Sequence, residues 1–247
     1  MVEIDSAMIE RLRRLSVADI ATSLVNRGLR NVVMDGVVPV KFSGANMIGP
    51  AFTLRFIPAR DDLAAELGAR LPRENLQRRA AEECPPGHVL VFGASGDARS
   101  ASAGESLLTR LHVRGCAGAV TDGGFRDTAD TAKLDFPLYH SRPAPLPGST
   151  HLLPVELNVL IGCGGVAVRP GDIICGDSDG VVVIPIGLVH EIADQAEALN
   201  LSESFAAEML REGQSLHDLY PRSPKMQDTF TRWKASRPPS GLAPGGV

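Results

Sequence analysis

The stretch that begins at Gly104 constrains the fold more than any other, because a helix, a strand and a polar loop follow one another within it. Leucines recur at helical spacing after Gly104, and a basic residue followed by Gly115 is a common helix end. The apolar run over residues 116–121 predicts a buried strand, which Asp-Gly-Gly then ends. Arg126 and Asp127 therefore lie just past the carboxyl end of a strand, where ligands bind in layered α/β proteins.

The start of this helix and the loop before it form a candidate binding surface. The first turn of a helix carries N–H groups without helical partners and the positive end of the helix dipole, so Gly104 opens a place for an anion such as a carboxylate. Small residues dominate positions 93–103, which lets the backbone approach a ligand closely or simply makes a flexible connection. Asp97 and Arg99 lie in this loop, where they face either the distal carboxylate of a ligand or water, and we expect them to face solvent.

The rest of the chain predicts a β-rich domain rather than a regular alternation of strands and helices. Apolar or alternating runs predict strands at residues 51–57, 88–92, 136–140, 155–161, 166–168, 172–175 and 181–184. Helices are predicted at 8–15, 16–26, within 60–84 and at 188–211. Ser16 and Asp19 resemble a capping box at the start of the second helix. The expected fold class is α/β, as one β-rich layered domain with helical termini.

Composition changes after residue 220. Proline, serine and glycine dominate residues 221–247, which predicts an extended, partly ordered tail.

Length and composition restrict the function. A chain of 247 residues, 44% of them hydrophobic, suits one globular domain with a sizeable core. The net charge of −4 does not indicate a nucleic-acid partner. No apolar run approaches the ~20 residues that span a bilayer, and the N-terminus lacks the pattern of a signal peptide. The four cysteines form no CxxC pair, so we expect a cytoplasmic protein with buried free thiols and no membrane partner.

The glycines and charged residues of the central stretch resemble the signature of the RraA-like family. In chain order they are Gly104, Glu105, Gly115, Gly118, Asp122, Gly123, Arg126, Asp127 and Asp130. A second block, residues 162–185, is similar to the C-terminal core of that family, and the resemblance extends from about Ser16 to Tyr220. Ser106 departs from the pattern, because many members have an apolar residue there.

The resemblance implies a fold, an assembly and an activity. The fold is a swivelling β/β/α-type domain over residues 1–220, with the tail at 221–247 outside it, and the assembly is a homotrimer or homohexamer. Enzymatic members are class II pyruvate aldolases, such as 4-hydroxy-4-methyl-2-oxoglutarate aldolase. The implied reaction is divalent-metal-dependent retro-aldol cleavage of a 4-hydroxy-2-oxo acid to pyruvate, with oxaloacetate decarboxylation through the same enolate. The alternative is a non-catalytic RraA-type regulator that binds a ribonuclease.

The resemblance also implies roles for individual residues. Arg126 and Asp127 are the catalytic pair, in which Asp127 holds Mg²⁺ or Mn²⁺ and Arg126 contacts the small 2-oxo acid substrate. The substrate carboxylate is held by backbone N–H groups of residues 104–107, namely Gly104, Glu105, Ser106 and Leu107.

None of the four lysines lies in an apolar strand, where burial could lower its pKa for Schiff-base chemistry, and this favours a metal-dependent aldolase.

Three further acidic residues are possible members of the site, each with a structural alternative. Asp130 completes the family's Arg-Asp-x-x-Asp/Glu pattern or stabilises the first turn of a short helix. Asp122 orders the site or merely ends a strand, and we favour a supporting role. Glu203, on the long C-terminal helix, reaches the site of a neighbouring subunit or belongs to a solvated helix face.

Overall fold

The computed structural model describes residues 4–70 and 75–236. The helices within these ranges are α1 (Ser6–Arg13), α2 (Val17–Asn26), α3 (Asp61–Arg70), α4 (Leu76–Glu83), α5 (Glu105–Val113), α6 (Thr128–Thr131), α7 (Val189–Arg211), α8 (Leu216–Leu219) and α9 (Pro224–Ala235). The strands are β1 (Val38–Pro39), β2 (Met47–Pro58), β3 (Val89–Gly93), β4 (Ala101–Ala103), β5 (Gly118–Thr121), β6 (Gly124–Phe125), β7 (Leu138–His140), β8 (Arg142–Pro143), β9 (Leu152–Leu157), β10 (Ile161–Cys163), β11 (Val166–Val168), β12 (Ile173–Asp177) and β13 (Gly180–Ile184).

One mixed sheet of eight strands forms the centre of the domain, in the order β1-β7-β5-β3-β2-β12-β13, with β9 also paired to β2. The long strand β2 joins its parts. Its first residues pair antiparallel with β12, residues 51–55 pair parallel with β3, and its last residues pair antiparallel with β9. The predicted β-rich layered α/β fold is confirmed. The strands are more numerous than the sequence indicates, because several span only two or three residues.

Helices cover this sheet through separate apolar clusters. On one side, Phe92 and Leu90 pack with Leu108 and Leu111 of α5 and with the apolar residues of α4. Another cluster joins α1, α2 and the first half of α7 to β12 and β13. The first helical turn of α2 is fixed as predicted, because the Ser16 hydroxyl accepts a hydrogen bond from the Asp19 N–H at 3.0 Å and donates to the Asp19 carboxylate at 2.8 Å.

The prediction of an extended segment from Pro221 onward is wrong for residues 224–235, which form α9. Ser223 caps this helix by accepting a hydrogen bond from the Met226 N–H, and proline occupies its first turn. The rings of Phe230 and Trp233 pack on Phe205 of α7 with centroid distances of 5.2 and 5.4 Å. Composition concealed the helix, since its apolar residues are few but recur at helical spacing. The proposed domain boundary at residue 220 stays a prediction, and residues 237–247 lie outside the described part of the chain.

Two segments for which the sequence predicts no strand contain strand residues. Residues 35–50 contain β1 and the start of β2, whose first four residues gain a partner in β12. Residues 93–103 end in β4. In the described ranges, no helix combines the length and the apolar character that a bilayer crossing requires.

We predict that Phe205→Ala loosens the C-terminal helices without unfolding the sheet. Phe205 is fully buried in a cluster that is separate from those around the sheet, and truncating a buried phenylalanine costs about 3–5 kcal/mol. Hydrogen exchange measured by mass spectrometry should accelerate in α8 and α9 and stay unchanged in β2. Leu210→Ala, at a half-exposed position of the same helix, is the control and should alter neither. Equal acceleration in β2 and α9 would contradict a separate cluster.

Candidate functional site

The candidate site lies where two parallel strand systems meet. β3 and β5 run parallel in the central sheet, and the small sheet β4-β6-β8 follows their carboxyl ends. β4 and β6 pair in parallel, with Ala101 opposite Gly124 and Ala103 opposite Phe125. The Arg126 N–H then donates to the Ala103 carbonyl at 3.1 Å. Gly104 and the Arg126-Asp127 dipeptide, which are far apart in sequence, are thereby brought side by side.

Gly104 is required by the close approach of these side chains. A Cβ atom at this position would lie 2.6 Å from Arg126 Nε and 2.9 Å from Asp127 Oδ2. The backbone φ of −126° is open to any residue, so the restriction comes from space and not from conformation. Any larger residue at 104 must therefore displace Arg126 or Asp127.

Asp127 has a backbone conformation that directs its carboxylate toward α5. Its φ of 57° is left-handed, which is uncommon outside glycine and costs of order 1–3 kcal/mol. Asp127 precedes α6 without capping it through its side chain. Instead, Oδ2 forms an ion pair with Arg126 Nε at 3.2 Å and accepts a hydrogen bond from the Glu105 N–H at 3.3 Å. The side chains of Arg126 and Asp127 are 42% and 40% exposed, so both remain accessible to a ligand.

The first turn of α5 offers fewer free donors than the sequence implies. The Glu105 N–H is directed to Asp127, and the Leu107 and Leu108 N–H groups donate to the Gly104 carbonyl at 3.2 and 3.1 Å. The Ser106 N–H has no acceptor among the described residues, and it lies at the exposed start of the helix. Ser106 and Gly104, whose N–H group also has no acceptor among the described residues, therefore present backbone donors that are available to an anion.

A cavity of about 490 Å³ adjoins this turn. It is bounded by one face of α4, the start of α5, and residues 147–149, and Arg126 is part of its wall. The Gln77 amide donates to the Ser102 carbonyl at 2.8 Å, which holds α4 against β4. Among the described residues, the wall contains three arginines, Arg78, Arg110 and Arg126, and one acidic residue, Glu82. Sequence reasoning missed the contribution of α4, because a short charged helix is usually a solvated one.

Asp122 supports the site by holding the start of a neighbouring loop in place. Its carboxylate accepts hydrogen bonds from the N–H groups of Ala94 at 2.7 Å and Gly96 at 2.9 Å, which fixes the start of the loop of residues 93–103. Burial raises the pKa of Asp122, and the two N–H groups counteract only part of that shift. Next to it, the Thr121 hydroxyl lies 2.8 Å from the Ser102 hydroxyl and ties β5 to β4. The contacts of Asp122 therefore agree with a supporting role.

The other two acidic candidates lie away from the cavity wall. Asp130 forms an exposed ion pair with Lys133 at 2.6 Å, the contact expected of a residue that stabilises a short helix. Glu203 is exposed on α7 and accepts a hydrogen bond from the Tyr220 hydroxyl at 2.6 Å. Contact between Glu203 and a neighbouring subunit stays a prediction. In the loop of residues 93–103, Asp97 pairs with Arg99 at 2.6 Å. The Arg99 side chain is exposed as expected, whereas the Asp97 side chain is only 18% exposed.

The donor set at Asp127 fits a magnesium-like cation and not a zinc site. No group of three or more His, Cys, Asp or Glu side chains is arranged for a metal within residues 4–70 and 75–236. A structural or catalytic zinc site needs three or four such ligands. Mg²⁺ binds through one or two carboxylates and keeps several waters, which suits a single half-exposed aspartate. Arg126 Nε and the Glu105 N–H contact one oxygen of that carboxylate, Oδ2.

Comparison with known proteins identifies a matching family profile and related sequences. The sequence profile of the RraA-like family, described as Aldolase/RraA, matches residues 17–183. A protein of Halalkalibacterium halodurans named "Putative 4-hydroxy-4-methyl-2-oxoglutarate aldolase" is 36% identical over 151 residues, which cover 61% of this chain and 65% of that protein. The chain spans less than two thirds of the length of the first curated relatives that it matches.

Two solved structures resemble the fold. Streptomyces coelicolor RraAS2, described as an unusual member of the RNase ES inhibitor RraA protein family, superposes with a TM-score of 0.72 at 30% identity, over 84% of this chain and 98% of its own. An uncharacterized protein of Pseudomonas syringae superposes with a TM-score of 0.75 at 21% identity, over 89% and 100% of the two chains. The second match supports the fold alone.

We predict that Asp122→Asn destabilises the protein by about 1–3 kcal/mol, because asparagine can accept only one of the two backbone hydrogen bonds and turns an amino group toward the other donor. The raised pKa of Asp122 means that the folded protein retains a proton there that the unfolded chain releases. Its stabilising contribution is therefore complete at acidic pH and declines as the pH rises through the folded pKa. The difference in unfolding free energy between wild type and variant, measured in urea from pH 3 to 8, should narrow as the pH rises.

Asp97→Asn is the matched control in the same loop. The Arg99 guanidinium lowers the pKa of Asp97 to about 2. The contribution of Asp97 is therefore lost as the pH falls below about 4. If the difference in unfolding free energy between wild type and variant narrows with rising pH for both Asp122→Asn and Asp97→Asn, the environments assigned to these two residues are contradicted.

Proposed function

Because this chain belongs to the RraA-like family, we propose that it is a lyase that cleaves a 4-hydroxy-2-oxo acid and releases pyruvate. The same site would decarboxylate oxaloacetate, since both reactions pass through the pyruvate enolate. The observation that carries this proposal is that Asp127 pairs with Arg126 and accepts a hydrogen bond from the first turn of α5, beside a cavity whose wall includes Arg126. The aldolase name of a relative at 36% identity agrees with it.

Asp127 would hold the divalent cation, Mg²⁺ or Mn²⁺. When bound, such a cation supplies a Lewis acid for the 2-keto oxygen of the substrate. The ion pair with Arg126 and the hydrogen bond from the Glu105 N–H already fix the direction of the Asp127 carboxylate. The protein thereby avoids the cost of ordering this ligand when the cation binds.

The backbone at the start of α5 would bind the carboxylate of the 2-oxo acid. The N–H groups of Gly104 and Ser106 are unpaired donors among the described residues, and the helix dipole adds a positive partial charge at the same end. This contact is similar in substrate and transition state, so it contributes to binding and orientation rather than to the rate of bond cleavage.

Arg126 would stabilise the charge that develops during the reaction. When the bond between C3 and C4 breaks, its electrons form the C2–C3 double bond of the enolate and charge moves to the keto oxygen, near which the guanidinium supplies a fixed cation. In the aldol cleavage the proton of the 4-hydroxyl group passes to water, and in both reactions the enolate then takes a proton from water at C3 to give pyruvate. Glu82, the acidic residue of the cavity wall, is a poor proton acceptor. Its hydrogen bonds with Arg110, and the nearby charge of Arg114, hold the pKa of its carboxylate below the usual range.

A second candidate function is a regulator that binds a ribonuclease. The match to Streptomyces coelicolor RraAS2 at 30% identity favours this reading, because that protein is described as a member of an RNase inhibitor family. Such a role requires no chemistry at Asp127.

We also propose a homotrimer or homohexamer as the assembly, with Glu203 placed toward the site of a neighbouring subunit.

The proposed activity predicts metal-dependent release of pyruvate. Oxaloacetate and a series of 4-hydroxy-2-oxo acids should yield pyruvate in an assay coupled to lactate dehydrogenase when Mg²⁺ is present, and EDTA should abolish the release above the spontaneous rate. The heat-denatured protein is the control for spontaneous oxaloacetate decay. If the folded protein with Mg²⁺ releases no more pyruvate than this control from any substrate, the lyase proposal fails and the regulator is favoured.

Arg126 and Asp127 should fail differently when substituted. Asp127→Asn keeps the shape but loses the anionic ligand, so Mn²⁺ binding measured by calorimetry should weaken, and excess Mg²⁺ should restore part of the activity. Arg126→Lys keeps the charge but loses the planar fork. Loss of one such stabilising group typically lowers kcat by ~10²–10³, while Mn²⁺ affinity should be retained. Equal rescue of both variants by Mg²⁺, or wild-type turnover in Arg126→Lys, would overturn these roles.

A further inference from the structure

Among the described residues, the wall of the cavity contains two arginines that the proposed chemistry does not use, Arg78 and Arg110. Arg78 lies on α4 and is exposed. Its side chain makes no hydrogen bond or ion pair with any residue in the described parts of the chain. The other two arginines of the wall are engaged, since Arg110 donates two hydrogen bonds to Glu82 at 2.9 and 2.8 Å and Arg126 contacts Asp127. Arg78 is therefore the wall arginine whose side chain has no partner in the described parts of the chain, and it can bind an incoming anion without breaking an existing contact.

The backbone of Arg78 is fixed although its side chain is free. Asn75 caps α4 and accepts a hydrogen bond from the Arg78 N–H at 3.1 Å. One residue before Arg78, Gln77 anchors the helix to β4 through Ser102. A guanidinium on such an anchored turn loses less conformational freedom on binding than one on a loop. The first turn of α4 also has no acidic residue to neutralise it.

The charge and size of the cavity favour a ligand with two anionic groups. Its described wall contains three arginines and a single glutamate, and that glutamate is already bound to Arg110. The volume of about 490 Å³ lies within the ~300–1,000 Å³ typical of small-molecule sites, and it exceeds what the three-carbon pyruvate portion needs. One carboxylate would lie at Ser106 and Arg126, at the start of α5. The remaining volume extends along α4 toward Arg78.

We infer that Arg78 is a specificity-determining residue that binds a second carboxylate at the far end of the 2-oxo acid. This inference rests on the proposed function for the position of the first carboxylate. It makes a dicarboxylic 2-oxo acid the preferred ligand over a monocarboxylic one of the same length. A guanidinium suits this task because its planar N–H groups match the two oxygens of a carboxylate.

The test uses two unreactive ligands that differ only at the far end. 2-Oxoglutarate and 2-oxopentanoate have the same chain length, and the second lacks the distal carboxylate. Calorimetry in Mg²⁺ buffer should show that the wild-type protein binds 2-oxoglutarate roughly 10- to 100-fold more tightly, as expected for hydrogen bonds to a charged group. Arg78→Gln should abolish this preference while leaving the affinity for 2-oxopentanoate unchanged, and Arg78→Lys should retain part of it.

Arg79→Gln is the matched control. Arg79 is the next residue of the same helix, but it pairs with Glu83 at 2.6 Å and is not part of the cavity wall. It should keep the full preference for 2-oxoglutarate. A wild-type protein without the preference, or an Arg78→Gln variant that retains it, overturns the inference.

The outcomes separate this inference from the proposed function. If Arg78 determines the preference but no 2-oxo acid yields pyruvate, the lyase proposal fails and the anion site stands. If pyruvate is released but Arg78→Gln leaves the ratio of KM values for dicarboxylic and monocarboxylic substrates unchanged, the inference fails and the lyase proposal stands.

Discussion

The close approach of Gly104 to Arg126 and Asp127 is the constraint on which the site depends. A short parallel pair, β4 and β6, holds the start of α5 against the loop that carries both charged residues. The distances leave no room for a Cβ atom at position 104. The left-handed backbone at Asp127 has a free-energy cost, and the contacts of its carboxylate with Arg126 and the Glu105 N–H offset part of it. A glycine and a strained aspartate are thus two consequences of one geometric requirement.

The central sheet positions this contact through the long strand β2. Its middle pairs parallel with β3, which in turn pairs parallel with β5, so the chain leaves both β3 and β5 at the same edge. Asp122 then bonds across that edge to Ala94 and Gly96. Fixing both loops to one buried carboxylate makes the geometry of Gly104 and Arg126 depend on the sheet rather than on the loops alone. Such support by a rigid scaffold is what a precisely placed site requires.

Sequence reasoning predicted the elements that carry strong local patterns. The helix after Gly104, the strand at 118–121 and the long α7 follow apolar periodicity, and the adjacency of Gly104 with Arg126 and Asp127 followed from family spacing. β4 and β6 escaped prediction, because two or three residues are too few to show alternation and such strands exist only through their partners. Helix α9 escaped for another reason. Its stability depends on Phe205, about twenty positions earlier, and not on its own composition.

The wall formed by α4 shows why the extent of a site is harder to predict than its centre. Residues 77, 78, 81 and 82 share one face of that helix, and in the sequence they look like a solvated surface. That face is turned toward the start of α5 only because the ion pair of Glu82 with Arg110 holds α4 beside α5 and the bond of Gln77 to Ser102 holds α4 against β4. Glu82 pairs with Arg110, so Arg78 is the arginine of the cavity wall that has no partner among the described residues. The selectivity of the cavity therefore depends on which arginine the protein itself neutralises, a property that neither helix has alone.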